Sequence, residues 1–156
     1  MIVIDTNSLI VFIIGIINNA KHLNHPRTSD FDIVDFKMLL NKIGNPKNLI
    51  VISNVWTEVD NLLNESFQKN DLRYYKTLKY LINLSTEPYI KIADIIQERT
   101  FEKIGVTDSL LLNAAIKAKV LVTFDDDLER IANHLGIEVY NLRTEKVKNK
   151  VKSKRR

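Results

Sequence analysis

Apolar residues in this chain fall into short blocks separated by longer segments with a helical period. Met1–Ile4, Leu49–Ile52 and Val120–Phe124 are short apolar runs rich in β-branched side chains, and they predict strands buried on both faces. Ile137–Leu142 predicts a last strand, and Tyr89–Ala93 is also strand-like. Residues 8–20 are apolar nearly all round, which predicts a buried helix. After a loop over Lys21–Arg27, Thr28 or Ser29 can cap a helix carrying Phe31, Val34, Met38 and Leu39, with Gly44 as its stop. Ser53 and Asn54 supply caps for a helix to about Glu65, and Asp71 opens another carrying Leu72, Tyr75, Leu78, Leu81 and Ile82. Asp94–Lys103 reads as helical. Thr107-Asp108 precedes a helix over Ser109–Lys119, and Asp125-Asp126-Asp127 starts one that Gly136 ends. Strands alternating with helices predict an α/β fold, with a central, mostly parallel sheet flanked by helices in one domain over residues 1–142.

The apolar run Leu9–Ile17 is too short to span a bilayer, which takes about 20 residues. No Lys or Arg precedes it, so it lacks the positive start of an export signal. A buried element is the expectation, with no membrane partner. The absence of Cys excludes a disulfide framework, a thiolate zinc site and a Cys nucleophile, and it fits a reducing cytoplasm. The net charge of +4 is unevenly placed. Residues 143–156 hold eight basic residues and one acid, which leaves residues 1–142 mildly acidic at −3. This segment has few apolar residues and is expected to be a flexible tail.

The acids of the body fall at one kind of place. Asp5 directly follows the first strand, and Asp125 and Asp127 follow Val120–Phe124. Glu58 lies early in the helix after Leu49–Ile52, and Asp108 lies at a helix start. In a parallel sheet these positions share the carboxyl edge, where functional groups gather. Helix capping alone accounts for Asp108 and for Asp125–Asp127 taken singly, and it is the better reading of Asp126. It accounts poorly for Asp5, in a polar patch between two apolar runs, and for Glu58, flanked by Val55, Trp56, Val59, Leu62 and Leu63. Carboxylates brought together repel one another unless a hard cation joins them. An acidic, oxygen-only site suits metal-assisted phosphodiester hydrolysis.

Four segments carry a resemblance. "IVIDTNSL", "TEVDNLL", "GVTDSLLLNAA" and "LVTFDDDL" resemble, in order, the acidic motifs of PIN-domain nucleases, and they span the body from residue 2 to about 142. The resemblance implies a PIN-like fold with an acidic site at the strand C-terminal ends. It implies that Asp5, Glu58, Asp108 and Asp125 are the catalytic acids. The metal ligands would be Asp5, Asp108, Asp125 and Asp127, with Glu58 completing the site or orienting the attacking water. Asn7 and Thr123 would support the site by hydrogen bonds. The implied activity is Mg²⁺- or Mn²⁺-dependent endonuclease cleavage of RNA, leaving a 5′-phosphate and a 3′-hydroxyl. Many relatives of this type are toxins paired with an antitoxin protein, often as homodimers. Which of Asp125, Asp126 and Asp127 is the ligand stays open at this point, as does a role for Asp60 in place of Glu58.

The basic segment supplies candidate RNA contacts in Lys146, Lys148, Lys150, Lys152, Lys154, Arg155 and Arg156. Tyr74 and Tyr75 with Arg73, Lys76 and Lys79 could stack on single-stranded RNA, although helical spacing favours half core and half solvated face. His22 and His25 read as loop histidines. A receiver-type phosphoacceptor would need an acid beside Asp5, and a haloacid-dehalogenase phosphatase would need an acid at Asn7. A non-catalytic PIN-like RNA-binding or scaffold module is the remaining alternative, and its mark would be lost acids.

Overall fold

The computed structural model describes residues 1–67, 71–96 and 100–153, with side chains as far as residue 148. The element order is β1 (Ile2–Ile4), α1 (Thr6–Ile17), α2 (Ile33–Ile43), β2 (Leu49–Ile50), α3 (Ser53–Leu63), α4 (Leu72–Leu84), α5 (Ile92–Ile95), α6 (Phe101–Ala118), β3 (Val120–Thr123), α7 (Asp126–His134), β4 (Glu138–Asn141) and α8 (Leu142–Ser153). The four strands form one sheet in the order β2-β1-β3-β4, and every pairing is parallel. Parallel neighbours need crossover connections, and the helices supply them. From β1 the chain passes to β2 on one side, then returns past β1 to β3 on the other. The strand order therefore reverses between β1 and β3, a switch point at whose carboxyl side open α/β sheets leave a crevice.

β1 is wholly buried, as its unbroken apolar run requires. In α1 the residues Ser8–Gly15 and Ile17 are buried. This explains a helix with no polar face. Gly15 lets α2 approach closely: a Cβ there would lie 2.1 Å from Cδ2 of Phe36. Phe36 in turn tilts against Phe12, with ring centroids 6.1 Å apart.

Three segments differ from the sequence expectation. The cap of α2 is Asp32, not Thr28 or Ser29: its carboxylate accepts from the N–H groups of Val34 and Asp35, and Asp35 answers from the N–H of Asp32. This reciprocal capping box satisfies more free N–H groups than one hydroxyl can. Tyr89–Ala93 is not a strand. Only Thr86 bridges to Ile50 on the outer side of β2, and Pro88, which lacks an N–H, follows it before α5 begins. The basic segment, for which no element was expected, is helical through Ser153. Buried Leu142 starts this helix, and the Lys146 ammonium seats it, 2.9 Å from Oδ2 of Asp32 and 2.8 Å from Oδ2 of Asp35. An ion pair thus anchors what apolar content alone does not. Residues 154–156 lie outside the described residues.

Candidate active site

Asp5 stands where β1 ends, at the crevice between β1 and β3. Its own N–H donates to the carbonyl of Val122, 3.0 Å away, which extends the β1–β3 ladder by one step. Its side chain caps α1: Oδ1 accepts from the N–H of Ser8 at 2.7 Å. Oδ2 accepts from the Thr123 hydroxyl at 2.6 Å and from the N–H of Phe124 at 2.9 Å. The residue is 6% exposed. Burial pushes its carboxyl above the usual range, against the hydrogen bonds from Thr123, Ser8 and Phe124, which pull it down.

Thr123 joins two acids. Its hydroxyl donates to Asp5 and accepts from the N–H of Asp125 at 3.0 Å. Asp125 caps α7, its Oδ1 accepting from the N–H groups of Asp127 at 2.8 Å and Leu128 at 2.9 Å. Oδ2 of Asp125 has no hydrogen bond among the described residues. Glu58, in the second turn of α3, is tied to two other helices. Its Oε2 accepts from the Thr6 hydroxyl of α1 at 2.5 Å, and its Oε1 from the Thr107 hydroxyl of α6 at 2.7 Å.

Asp108 completes the group. Gly105 breaks α6 with φ 77° and ψ −171°, a conformation that favours glycine, so Asp108 stands in the first turn after the break. It is half-buried and makes no hydrogen bond among the described residues. Its carboxyl is pushed up to about 6, first by burial and then by the charges of Asp125, Asp5 and Glu58. Three acids from three other segments thus lie within electrostatic reach of Asp108. As the side chains stand, no three acidic or histidine groups among the described residues are gathered into a chelating set.

Comparison with family models, curated proteins and solved structures gives no match to this chain. The chemistry of the site therefore rests on its own residues.

The acids that the sequence left open have different partners in the structure. Asp126 accepts from the Asn141 amide at 3.0 Å, and Asp60 accepts from the Tyr74 hydroxyl at 2.8 Å. Asp127 is 80% exposed in its side chain and pairs with Arg130 at 3.0 Å. None of these three is among the charges that perturb Asp108. Asn7 is exposed and makes no hydrogen bond to Asp5; Thr6, one residue earlier, makes the bond to Glu58 instead. Thr6 and Thr107 were not singled out from the sequence. The signal available was a hydroxyl residue directly beside a candidate acid at a helix start, in Asp5-Thr6 and Thr107-Asp108.

Other candidates have different employment. Lys146 is engaged by Asp32 and Asp35, and Lys148 pairs with Glu145 at 2.7 Å. The side chains of Lys150 and Lys152, and all of Lys154, Arg155 and Arg156, lie outside the described residues. Tyr74 is fully buried and Tyr75 is exposed, so the pair divides between core and surface. His25 accepts from the N–H of Arg27 through Nδ1 and stacks on Phe67 in a loop.

Proposed function

We propose that this chain is a metal-dependent endoribonuclease of the PIN type, hydrolysing RNA phosphodiester bonds at the cluster of Asp5, Glu58, Asp108 and Asp125. The observation that carries this reading is the state of Asp108. A half-buried carboxylate pressed by three like charges, and with no hydrogen-bond donor among the described residues, is relieved only by a proton or a cation. The donors are oxygens alone, which suits Mg²⁺ or Mn²⁺ better than softer metals. Asp5, Asp108 and Asp125 would hold the ion, directly or through water. Oδ1 of Asp5 keeps spare acceptor capacity beyond its single bond, and Oδ2 of Asp125 keeps all of its own. When bound, the ion would lower the pKa of a water and neutralise charge on the phosphate.

The chain's own residues then have distinct work. Glu58 is held from two sides by Thr6 and Thr107, so its carboxylate has a fixed aim. In that posture it orients a water and accepts its proton as the water oxygen bonds to phosphorus. The phosphorus–oxygen bond to the 3′ oxygen breaks and that oxygen takes a proton from solvent water, leaving a 5′-phosphate and a 3′-hydroxyl. Thr123 fixes the spacing of Asp5 and Asp125 by bonding to both segments.

The test is cleavage of labelled single-stranded RNA in Mg²⁺ or Mn²⁺, with and without EDTA, beside Asp5→Asn and Asp108→Asn. Metal-dependent cleavage that both substitutions abolish is expected. Cleavage indifferent to EDTA and to both variants overturns the reading. RNA binding that weakens with salt, without cleavage of any RNA tried and without a metal response, assigns the non-catalytic binding module instead.

A further inference from the structure

A cavity of about 390 Å³ lies between the start of α6 and the outer face of α7, lined by Thr100, Lys103, Arg130, Ile131, His134 and Leu135. Its composition is unlike that of the acidic cluster. Three of the six lining side chains are cationic or protonatable, and none of the six is acidic. The Lys103 ammonium and the His134 imidazole make no hydrogen bond or ion pair among the described residues. Among the described residues Arg130 is paired only with Asp127, and both side chains of that pair are more than three-quarters exposed. An ion pair so open to water holds weakly, so Arg130 can exchange its partner for another anion at little cost.

The position of the cavity is set by the same two helices that carry Asp108 and Asp125. On α7, Arg130, Ile131, His134 and Leu135 recur at helical spacing and form one stripe, while Leu128 and Ala132 face the core. Arg130 follows the cap Asp125 by five residues, an advance of about 7.5 Å along the helix. Lys103 precedes Asp108 by the same number of residues, just before the break at Gly105. The cavity is thus built on the two helices that also carry Asp108 and Asp125. Lys103 and Arg130 suit a phosphate group. Ile131 and the 45% exposed Leu135 offer apolar surface for a sugar or base beside it.

We propose that this cavity binds one nucleotide of a single-stranded nucleic-acid substrate, with its phosphate held by Lys103 and Arg130. The inference rests on the nuclease reading above for the word "substrate", but its binding test does not depend on catalysis. The experiment is fluorescence-anisotropy titration of a labelled random-sequence oligoribonucleotide with the full chain in EDTA, at several salt concentrations. Wild type is compared with Lys103→Gln/Arg130→Gln, and matched melting curves establish that both are folded. The variant is expected to bind several-fold more weakly, and its log–log salt slope to be shallower by about 1.4, the amount for two phosphate contacts on a single strand. A folded variant with unchanged affinity and slope overturns the cavity assignment and leaves the nuclease reading standing. Binding of AMP alone to wild type as tight as that of the oligonucleotide, lost in the variant, reassigns the cavity to a free nucleotide and overturns the strand assignment. Variant-sensitive binding with no cleavage in any metal removes the nuclease reading and leaves the cavity as a nucleic-acid site.

Discussion

Asp108→Asn should make the metal-free protein more stable while removing its proposed chemistry. In the folded chain the Asp108 carboxyl lies at about 6 against 3.8 for the free side chain. The folded state therefore holds this proton more tightly than the unfolded state does. Stability contributed by the group falls as pH rises through the interval between these values, and it is level above the upper one. At about 1.4 kcal/mol per pKa unit, the shift sets an upper bound near 3 kcal/mol. Asp108 is only half-buried, so solvent screening reduces this to about 1 kcal/mol. The substitution removes the ionisable group and keeps its shape. In EDTA at pH 7.5 the variant should melt higher by about 2–4 °C, with the gain shrinking to nothing below pH 4. Added Mg²⁺ should raise the melting temperature of wild type and move that of the variant little. The assay is thermal unfolding followed by circular dichroism across pH, with and without Mg²⁺. A variant no more stable than wild type at pH 7.5 in EDTA would refute the crowding of Asp108 by Asp5, Glu58 and Asp125.

Gly15→Ala drives a methyl group into the ring of Phe36 and should cost about 1–3 kcal/mol in urea unfolding, with Phe36→Leu restoring part of the loss. Thr123→Val leaves a buried Asp5 oxygen short of a donor and should cost about 1–3 kcal/mol, whereas Thr123→Ser should stay close to wild type. Lys146→Met leaves the buried Asp35 carboxylate without its cation and should cost about 3 kcal/mol, with faster amide exchange along α8 as the local sign. Thr107→Val frees one oxygen of Glu58 and should slow RNA cleavage by about 10–100-fold in single-turnover assays, the usual scale for groups that orient a reacting residue.

What could be read in advance follows the range of each interaction along the chain. β1 and β3 announced themselves because strands buried on both faces must be apolar throughout. The acids at their ends stood out because polar residues there break apolar runs. The partners of those acids were harder to see. Glu58 reaches Thr6 and Thr107 across 52 and 49 residues, and no local pattern tells which two helix starts will meet α3. Asn7 drew attention beside Asp5, yet the turn into α1 leaves it exposed while Thr6 makes the contact. The three consecutive acids after β3 were equivalent on the page. They differ in partner only when Asn141, arriving with β4, bonds to Asp126, and Arg130 pairs with the exposed Asp127. The helix at 142–153 was missed for a related reason: Lys146 reads as a solvated charge until Asp32 and Asp35 are placed beneath it.

The bonds from Thr123 and Phe124 to Asp5 span 118 and 119 residues. Contacts of such separation form late, because a long loop must close before they reward it. A chain leaving the ribosome carries Asp5 and Glu58 well before β3 has been made, and domains fold as units during synthesis. Until β3 docks beside β1, the four carboxylates have no common edge and no common field. A nascent or truncated chain ending before β3 therefore holds three of the four acids, without Asp125 and without the edge that would gather them. The topology makes completion of the fold the condition for assembling the acids at all.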